Sequence, residues 1–285
     1  MTEWTHIYSY FDPVAFNLFG IPVHWYGIFY VLSLLTALSL AHWIIKKDSY
    51  PISSNLLDSY FIWVEIGVIL GARLGYIIFY DPYMSYYLTH PWQIFNPFDT
   101  QGNFIGIRGM SYHGAVIGFL IASLLFAKYK KVNFWLFMDL AGLSVPLGYV
   151  FGRIGNFLNQ ELVGRQTQSS LGIYVDGILR HPSQLYEAFL EGIVVFVILF
   201  WWRKRATFVG QIGILYVILY SLMRFIAEFF REPDVQMGFI ALGWLTQGQL
   251  LSLILGGFCL VLFFKPQSYQ SHNSKSQPPK KRKNG

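Results

Sequence analysis

Seven apolar runs decide what this chain can become. They fall at roughly 21–45, 56–79, 112–128, 133–152, 186–202, 211–230 and 244–264. A bilayer core is crossed by about 20 mostly apolar helical residues. Within lipid, a helix pairs every backbone N–H and C=O inside its own segment. The two constraints together predict an all-α polytopic membrane protein with about seven transmembrane helices. The 112–128 and 186–202 runs are short, so tilt, a break or extension into neighbouring residues is expected there. Charged residues make up only 13% of the chain, against about 25% in soluble domains, which excludes an assembly of soluble domains.

The runs define one transmembrane domain over 1–265 and a tail over 266–285. The tail is rich in Ser, Gln, Pro and Lys, a composition that predicts disorder. Its basic end is suited to anionic lipid, at ~1 kcal/mol per basic residue near a membrane surface. The first twenty residues lack a basic n-region and contain Glu3 and Asp12. The first apolar run is therefore expected to direct insertion itself. Phe11–Pro22 reads as an interfacial entry segment. Cys259 is the sole cysteine and lies inside the last apolar run. It reads as a packing or lipid-facing residue rather than a nucleophile. No internal repeat is evident, which weakens an inverted-repeat transporter.

The basic residues sort by side. Lys46 and Lys47 follow the first run; Lys128, Lys130 and Lys131 the third; Arg203, Lys204 and Arg205 the fifth; Lys265, Lys275, Lys280, Lys281, Arg282 and Lys283 the seventh. These are fourteen of the 21 basic residues. The positive-inside rule predicts that their side is cytoplasmic, with the N-terminus outside and the C-terminus inside. The remaining seven are Arg73, Arg108, Arg153, Arg165, Arg180, Arg224 and Arg231, with no lysine among them. Arginine keeps its charge when buried and offers a planar fork that grips phosphate or carboxylate. An external anion site is the implication. The plain alternative is pairing with Glu and Asp, for instance Arg231 with Glu232 and Asp234.

The densest polar stretch is Gly152-Arg153-Ile154-Gly155-Asn156-Phe157-Leu158-Asn159-Gln160-Glu161-Leu162-Val163-Gly164-Arg165, joined directly to the apolar run Leu140–Phe151. Ionisable residues at such a depth read as a functional site by default. Residues 160–182 follow as a small external cap, with a hairpin expected around Asp176-Gly177. Ser183 reads as the N-cap of the next span, with Glu187 nearby. Tyr220, Arg224 and Glu228 recur every four residues and so share one helix face. Arg153 and Arg224 are expected to converge from different spans. His113, opening the third run, is a plausible proton acceptor, with a structural hydrogen-bonding role equally open. Glu65 and Arg73 lie ~12 Å apart along one helix, too far to pair directly, so each needs a partner elsewhere. Trp25 and Tyr26 fit an interfacial aromatic belt.

The stretch Gly152–Gly164 resembles the signature of bacterial prolipoprotein diacylglyceryl transferases. Further stretches resemble that family in the same order: His24-Trp25-Tyr26-Gly27, Ser111-Tyr112-His113-Gly114, His181-Pro182-Ser183-Gln184-Leu185-Tyr186-Glu187, and Arg224 to Arg231. The resemblance covers about residues 12–264. Ala115 departs from it, standing where a second glycine is expected. The resemblance implies transfer of the diacylglyceryl group of phosphatidylglycerol to the lipobox cysteine thiol of a prolipoprotein signal peptide. A thioether forms and glycerol phosphate is released. It implies phosphate recognition by Arg153 and a catalytic role for Arg224; the thiol's proton makes His113 the third catalytic candidate, with lowering of the thiol pKa by the arginines as the alternative to a base. It implies a substrate-binding set of Arg153, Asn156, Glu161, Gly164, Tyr26, Tyr220 and Glu228. It also implies a multi-pass protein of the bacterial plasma (inner) membrane with its site toward the outer leaflet. No cofactor, metal or nucleic acid is expected. The competing classes are an anion or lipid transporter and an enzyme acting on another phospholipid headgroup.

Overall fold

The computed structural model describes residues 2–99, 101–102, 106–107, 109–233 and 238–264. Arg108, Asp234 and the 266–285 tail lie outside the described residues. The amino terminus forms α1 (Thr2–Thr5) and a 3-10 turn (Ile7–Ser9), then a hairpin of β1 (Val14–Leu18) and β2 (Ile21–His24). The helices α2 (Trp25–Lys47), α3 (Ser54–Phe79), α4 (Met84–Thr89), α5 (Tyr112–Lys130) and α6 (Phe134–Leu158) follow. A second hairpin, β3 (Ile173–Val175) and β4 (Ile178–Arg180), precedes one continuous helical segment. That segment comprises α7 (Ser183–Glu187), a π-helical stretch (Ala188–Val194), α8 (Val195–Trp202) and a 3-10 turn (Arg203–Arg205). α9 (Gln211–Ala227) and α10 (Gln247–Phe264) complete the chain. Among the described residues six helices are long and apolar enough to cross a membrane, and α9 is a shorter apolar helix. The mostly helical membrane fold with a small sheet cap is the one expected.

Three expectations need correction. The fourth run does not end near 152: α6 continues through the Gly152–Leu158 half of the polar stretch and ends at Leu158. The break comes at Gln160, whose φ of +57° cannot continue a right-handed helix. Ser183 is not the N-cap. Pro182 occupies that position without a side-chain cap, and Ser183 Oγ donates instead to Leu162 O at 3.0 Å, tying the helix to the cap. The entry segment 11–22 is largely the β1–β2 hairpin, turning on Phe19 and Gly20, both at positive φ. The hairpin expected at Asp176-Gly177 is present, with both residues left-handed as a two-residue primed turn requires.

The chain forms two compact units, residues 1–44 with 138–285 and residues 45–137. In the second unit α3 and α5 meet along glycines. A side chain at Gly71 would overlap the backbone of Gly114 and Gly118, and one at Gly75 would lie 2.7 Å from Gly114 Cα. Small residues at four-residue spacing let membrane helices approach to backbone contact. Tyr60, Phe126 and Phe137 fill the space beyond, with Tyr60 and Phe137 centroids 4.2 Å apart. Arg73 is buried and donates to the carbonyls of Ile94 at 2.5 Å and Gly109 at 3.2 Å. These bonds fasten the middle and the far end of the connection that leads to Ser111, whose Oγ accepts from Gly114 N and caps α5.

In the first unit α6 is the hub. A side chain at Gly155 would lie 2.9 Å from Phe29 Cβ of α2, and one at Gly213 of α9 would lie 2.9 Å from Met138. Asp139, fully buried on α6, accepts from Gly210 N at 2.7 Å and Gly213 N at 2.9 Å. A carboxylate at a helix N-terminus satisfies orphan N–H groups and complements the dipole. This clasp fixes α9 against α6 before either helix reaches its polar end. Asp139→Ala would strand two buried N–H groups, and Asp139→Asn would keep an acceptor oxygen. Thermal unfolding in detergent is expected to show a loss of ~2–4 kcal/mol for alanine and a smaller one for asparagine.

Candidate active site

Polar residues of three helical segments meet in the first unit. Arg153 comes from the end of α6 and Glu187 from the end of α7. Glu191 comes from the π-helical stretch, and Arg224 from the last turn of α9. A π-helical turn widens a helix and often marks a functional site. Glu187 and Glu191 are both fully buried, in a segment apolar enough to span the membrane. Buried charges survive only when paired, and these are. Glu187 Oε2 lies 2.9 Å from Arg153 Nε and 3.1 Å from Arg224 Nη1. Glu187 Oε1 lies 3.7 Å from Arg231 Nη1. One carboxylate thus gathers three arginines.

Each arginine is steered by further partners. Arg153 Nε donates to Tyr149 Oη at 2.6 Å, and Nη1 to Asn156 Oδ1 at 3.3 Å. Its guanidinium carbon is 4.8 Å from the Tyr149 ring centre. Tyr149 Oη donates to Glu191 Oε2 at 2.5 Å. Asn156 Nδ2 donates to Glu161 Oε1 at 2.7 Å. Arg153 Nη2 has no hydrogen-bond partner among the described residues. Arg224 Nη2 pairs with Glu228 Oε1, one helical turn on. Glu228 Oε2 accepts from Thr246 Oγ1 at 2.9 Å, just before α10. Tyr220 packs edge-on to Tyr149, with centroids 6.0 Å apart.

The cap closes around this cluster. Gly164 N donates to His181 O at 3.0 Å and Arg165 N to Phe230 O at 2.9 Å. A side chain at Gly164 would collide with both carbonyls. Arg165 binds the carbonyls of Arg231 and Glu228 at 2.8 and 3.1 Å. Arg180 pairs with Glu232 at 3.1 Å. Arg231 therefore does not pair with Glu232: Arg180 occupies that carboxylate, and Arg231 turns toward Glu187 and Glu228. Gln184 Nε2 donates to Glu161 O. His181 packs on Phe230, and partial burial lowers its pKa below the usual histidine value.

Of the residues singled out from the sequence, Arg153, Asn156, Glu161, Arg224 and Glu228 are joined in one hydrogen-bonded network. Tyr220 lines it, and Gly164 shapes the cap. Tyr26 is about half exposed at the start of α2, within electrostatic reach of Glu161 and Arg153. His113 belongs to the other unit, exposed in the first turn of α5 with its ring edge-on to Tyr112 at 5.8 Å. Four members of the network were not anticipated as site residues: Tyr149, Glu187, Glu191 and Arg231. Two carboxylates four residues apart inside an apolar run were a usable signal, because an intramembrane charge needs a partner.

An arginine pair bridged by a buried carboxylate, with an N–H edge left open, offers the kind of donor that phosphate and carboxylate groups accept from. The fold and this cluster define a multi-pass membrane protein with a buried arginine–glutamate cluster where its helices end. The sequence profile of the prolipoprotein diacylglyceryl transferases matches residues 13–265, and the chain belongs to that family. A Wolinella succinogenes phosphatidylglycerol–prolipoprotein diacylglyceryl transferase is 70% identical over 261 residues, spanning 92% of this chain and 95% of its own. A Campylobacter curvus protein of that name is 60% identical over 271 residues, 94% of this chain and 99% of its own. One from Campylobacter jejuni (strain RM1221) is 63% identical over 255 residues, 90% and 93% respectively.

Proposed function

We propose that the protein transfers the diacylglyceryl group of phosphatidylglycerol to the thiol of a lipobox cysteine in a prolipoprotein signal peptide. A carbon–sulfur bond forms at the terminal diacylglyceryl carbon. The carbon–oxygen bond to phosphate breaks, and its electron pair leaves with glycerol phosphate. The observation that carries this reading is the meeting of Arg153 and Arg224 on Glu187, with Arg153 Nη2 unspent. The phosphate oxygen gains charge only as the bond breaks, so fixed cations aimed at it favour the transition state over the bound lipid. Arg153 binds the phosphodiester through its open edge, and Arg224 stabilises the departing phosphate. Asn156, Glu161 and Tyr26 contour the headgroup pocket beside Arg153. Tyr220 and Glu228 orient Arg224, and Gly164 keeps the cap close.

The thiol attacks as thiolate and must lose a proton. His113 is our candidate acceptor, since neutral imidazole suits that task near neutral pH. The basic loops, read by the positive-inside rule, support a site facing the outer leaflet of the bacterial plasma membrane. Purified protein, isotopically labelled phosphatidylglycerol and a cysteine-bearing lipobox peptide test the reading directly. Mass spectrometry is expected to find the peptide heavier by one diacylglyceryl group, and the matched serine peptide unmodified. Equal labelling of both peptides, or none with folded protein, would sink it.

A further inference from the structure

We propose that the far end of α8 carries a second lipid site, which seats one anionic phospholipid and is separate from the arginine–glutamate cluster. It lies roughly 24 Å along the same helical segment from Glu187, at 1.5 Å per residue. A groove of about 660 Å³ opens there, lined by Val197, Phe200, Trp201, Arg203, Lys204 and Arg205 among others. That volume lies within the range of pockets that hold small ligands. The lining is divided. Aromatic and aliphatic side chains form the wall toward the bilayer core, with Val197 56% and Trp201 58% exposed. Three consecutive cations form the end.

The cations are set by their neighbours. The Arg203 guanidinium carbon is 3.6 Å from the Phe200 ring centre, and that of Arg205 is 3.6 Å from the Trp201 ring centre. Trp43 of α2 stacks on Phe200 with centroids 5.8 Å apart, fixing that ring. Arg205 donates to Trp201 O at 2.9 Å. Neither Lys204 nor Arg205 has a carboxylate partner among the described residues. Positive charge at a helix C-terminus and at a membrane border has general causes. Those causes do not require aromatic-backed guanidinium groups beside an apolar groove. A phosphodiester headgroup on the cations, with one chain along Val197 and Trp201, satisfies both halves of the lining. The site is independent of the transfer reaction.

The test uses the full-length protein, delipidated in neutral detergent and titrated with phospholipids brominated on the acyl chain. The Trp201 signal is taken as wild type minus Trp201→Phe, which retains an aromatic face. Saturable quenching by an anionic phospholipid, with phosphatidylcholine at least about tenfold weaker, is expected from roughly 1 kcal/mol per basic residue. The R203Q/K204Q/R205Q variant is expected to lose at least tenfold in apparent affinity and to keep transferase activity, which also reports its folding. Should that variant not fold, Lys204→Gln alone is expected to weaken binding about fivefold. Equal quenching by phosphatidylcholine, or undiminished affinity in the variants, would overturn the proposal. So would full displacement of the lipid by millimolar inorganic phosphate, which would mark the cations as a site for the free anion.

Discussion

Glu187→Gln is expected to destabilise the protein by ~3–5 kcal/mol, the cost of breaking a buried charge pair from one side, and to abolish transfer. The glutamate is fully buried and shared by Arg153, Arg224 and Arg231. Its amide has no charge and only one acceptor oxygen, so the three guanidinium groups lose their common counter-ion. They separate, and the geometry proposed to hold two of them on one phosphate goes with them. Thermal unfolding in detergent, read beside transferase turnover, checks both effects. Wild-type stability with wild-type turnover would mean that the carboxylate is not what holds the arginines. Glu187→Asp keeps the charge on a shorter stem and is expected to recover part of the stability and little of the rate.

Gly71→Leu is expected to be equally severe by a different route. The position where its Cβ would sit is taken by backbone of Gly114 and Gly118. Neither neighbour is a flexible side chain that can move aside, so α3 and α5 must part along their shared seam. Overpacking and lost contact together put the cost beyond ~4 kcal/mol. Size-exclusion chromatography of the purified variant is expected to find aggregate rather than monodisperse protein. Gly257→Ala is the internal control. Nothing lies within 4 Å of its added methyl, and alanine is the better helix former by about 1 kcal/mol, so stability should hold or rise. A folded Gly71→Leu would show that the glycine seam is dispensable.

The spans were legible because lipid leaves the backbone few options, and run length carries the information. The convergence of Arg153 and Arg224 was legible for a related reason: an arginine in an apolar run must find a polar neighbour. What joins them was not. Glu187 sits in a stretch that reads as an ordinary helix start, and its role shows only in its full burial against Arg153, Arg224 and Arg231. Tyr149 looks like one more aromatic in an apolar helix until its hydroxyl is found between Arg153 and Glu191. Arg73 was expected to have a polar partner, but backbone carbonyls serve as well as a carboxylate, and no residue type announces them. The β1–β2 hairpin was missed because Pro13 precedes one short strand, Pro22 lies inside the other, and its turn is Phe-Gly rather than Asn-Gly.

The central claim is that Arg153 and Arg224 act together on the phosphate of the lipid. The measurement that tests it most directly is the turnover of labelled diacylglyceryl transfer from phosphatidylglycerol to a lipobox peptide. Wild type, Arg153→Gln and Arg224→Gln are compared, each with its unfolding curve. The account predicts that each variant, where folded, loses about 10²–10³ in turnover, the cost of removing one charge-stabilising donor. The double variant should fall little further, since each arginine works only with the other in place. A folded single variant that turns over at the wild-type rate would contradict it.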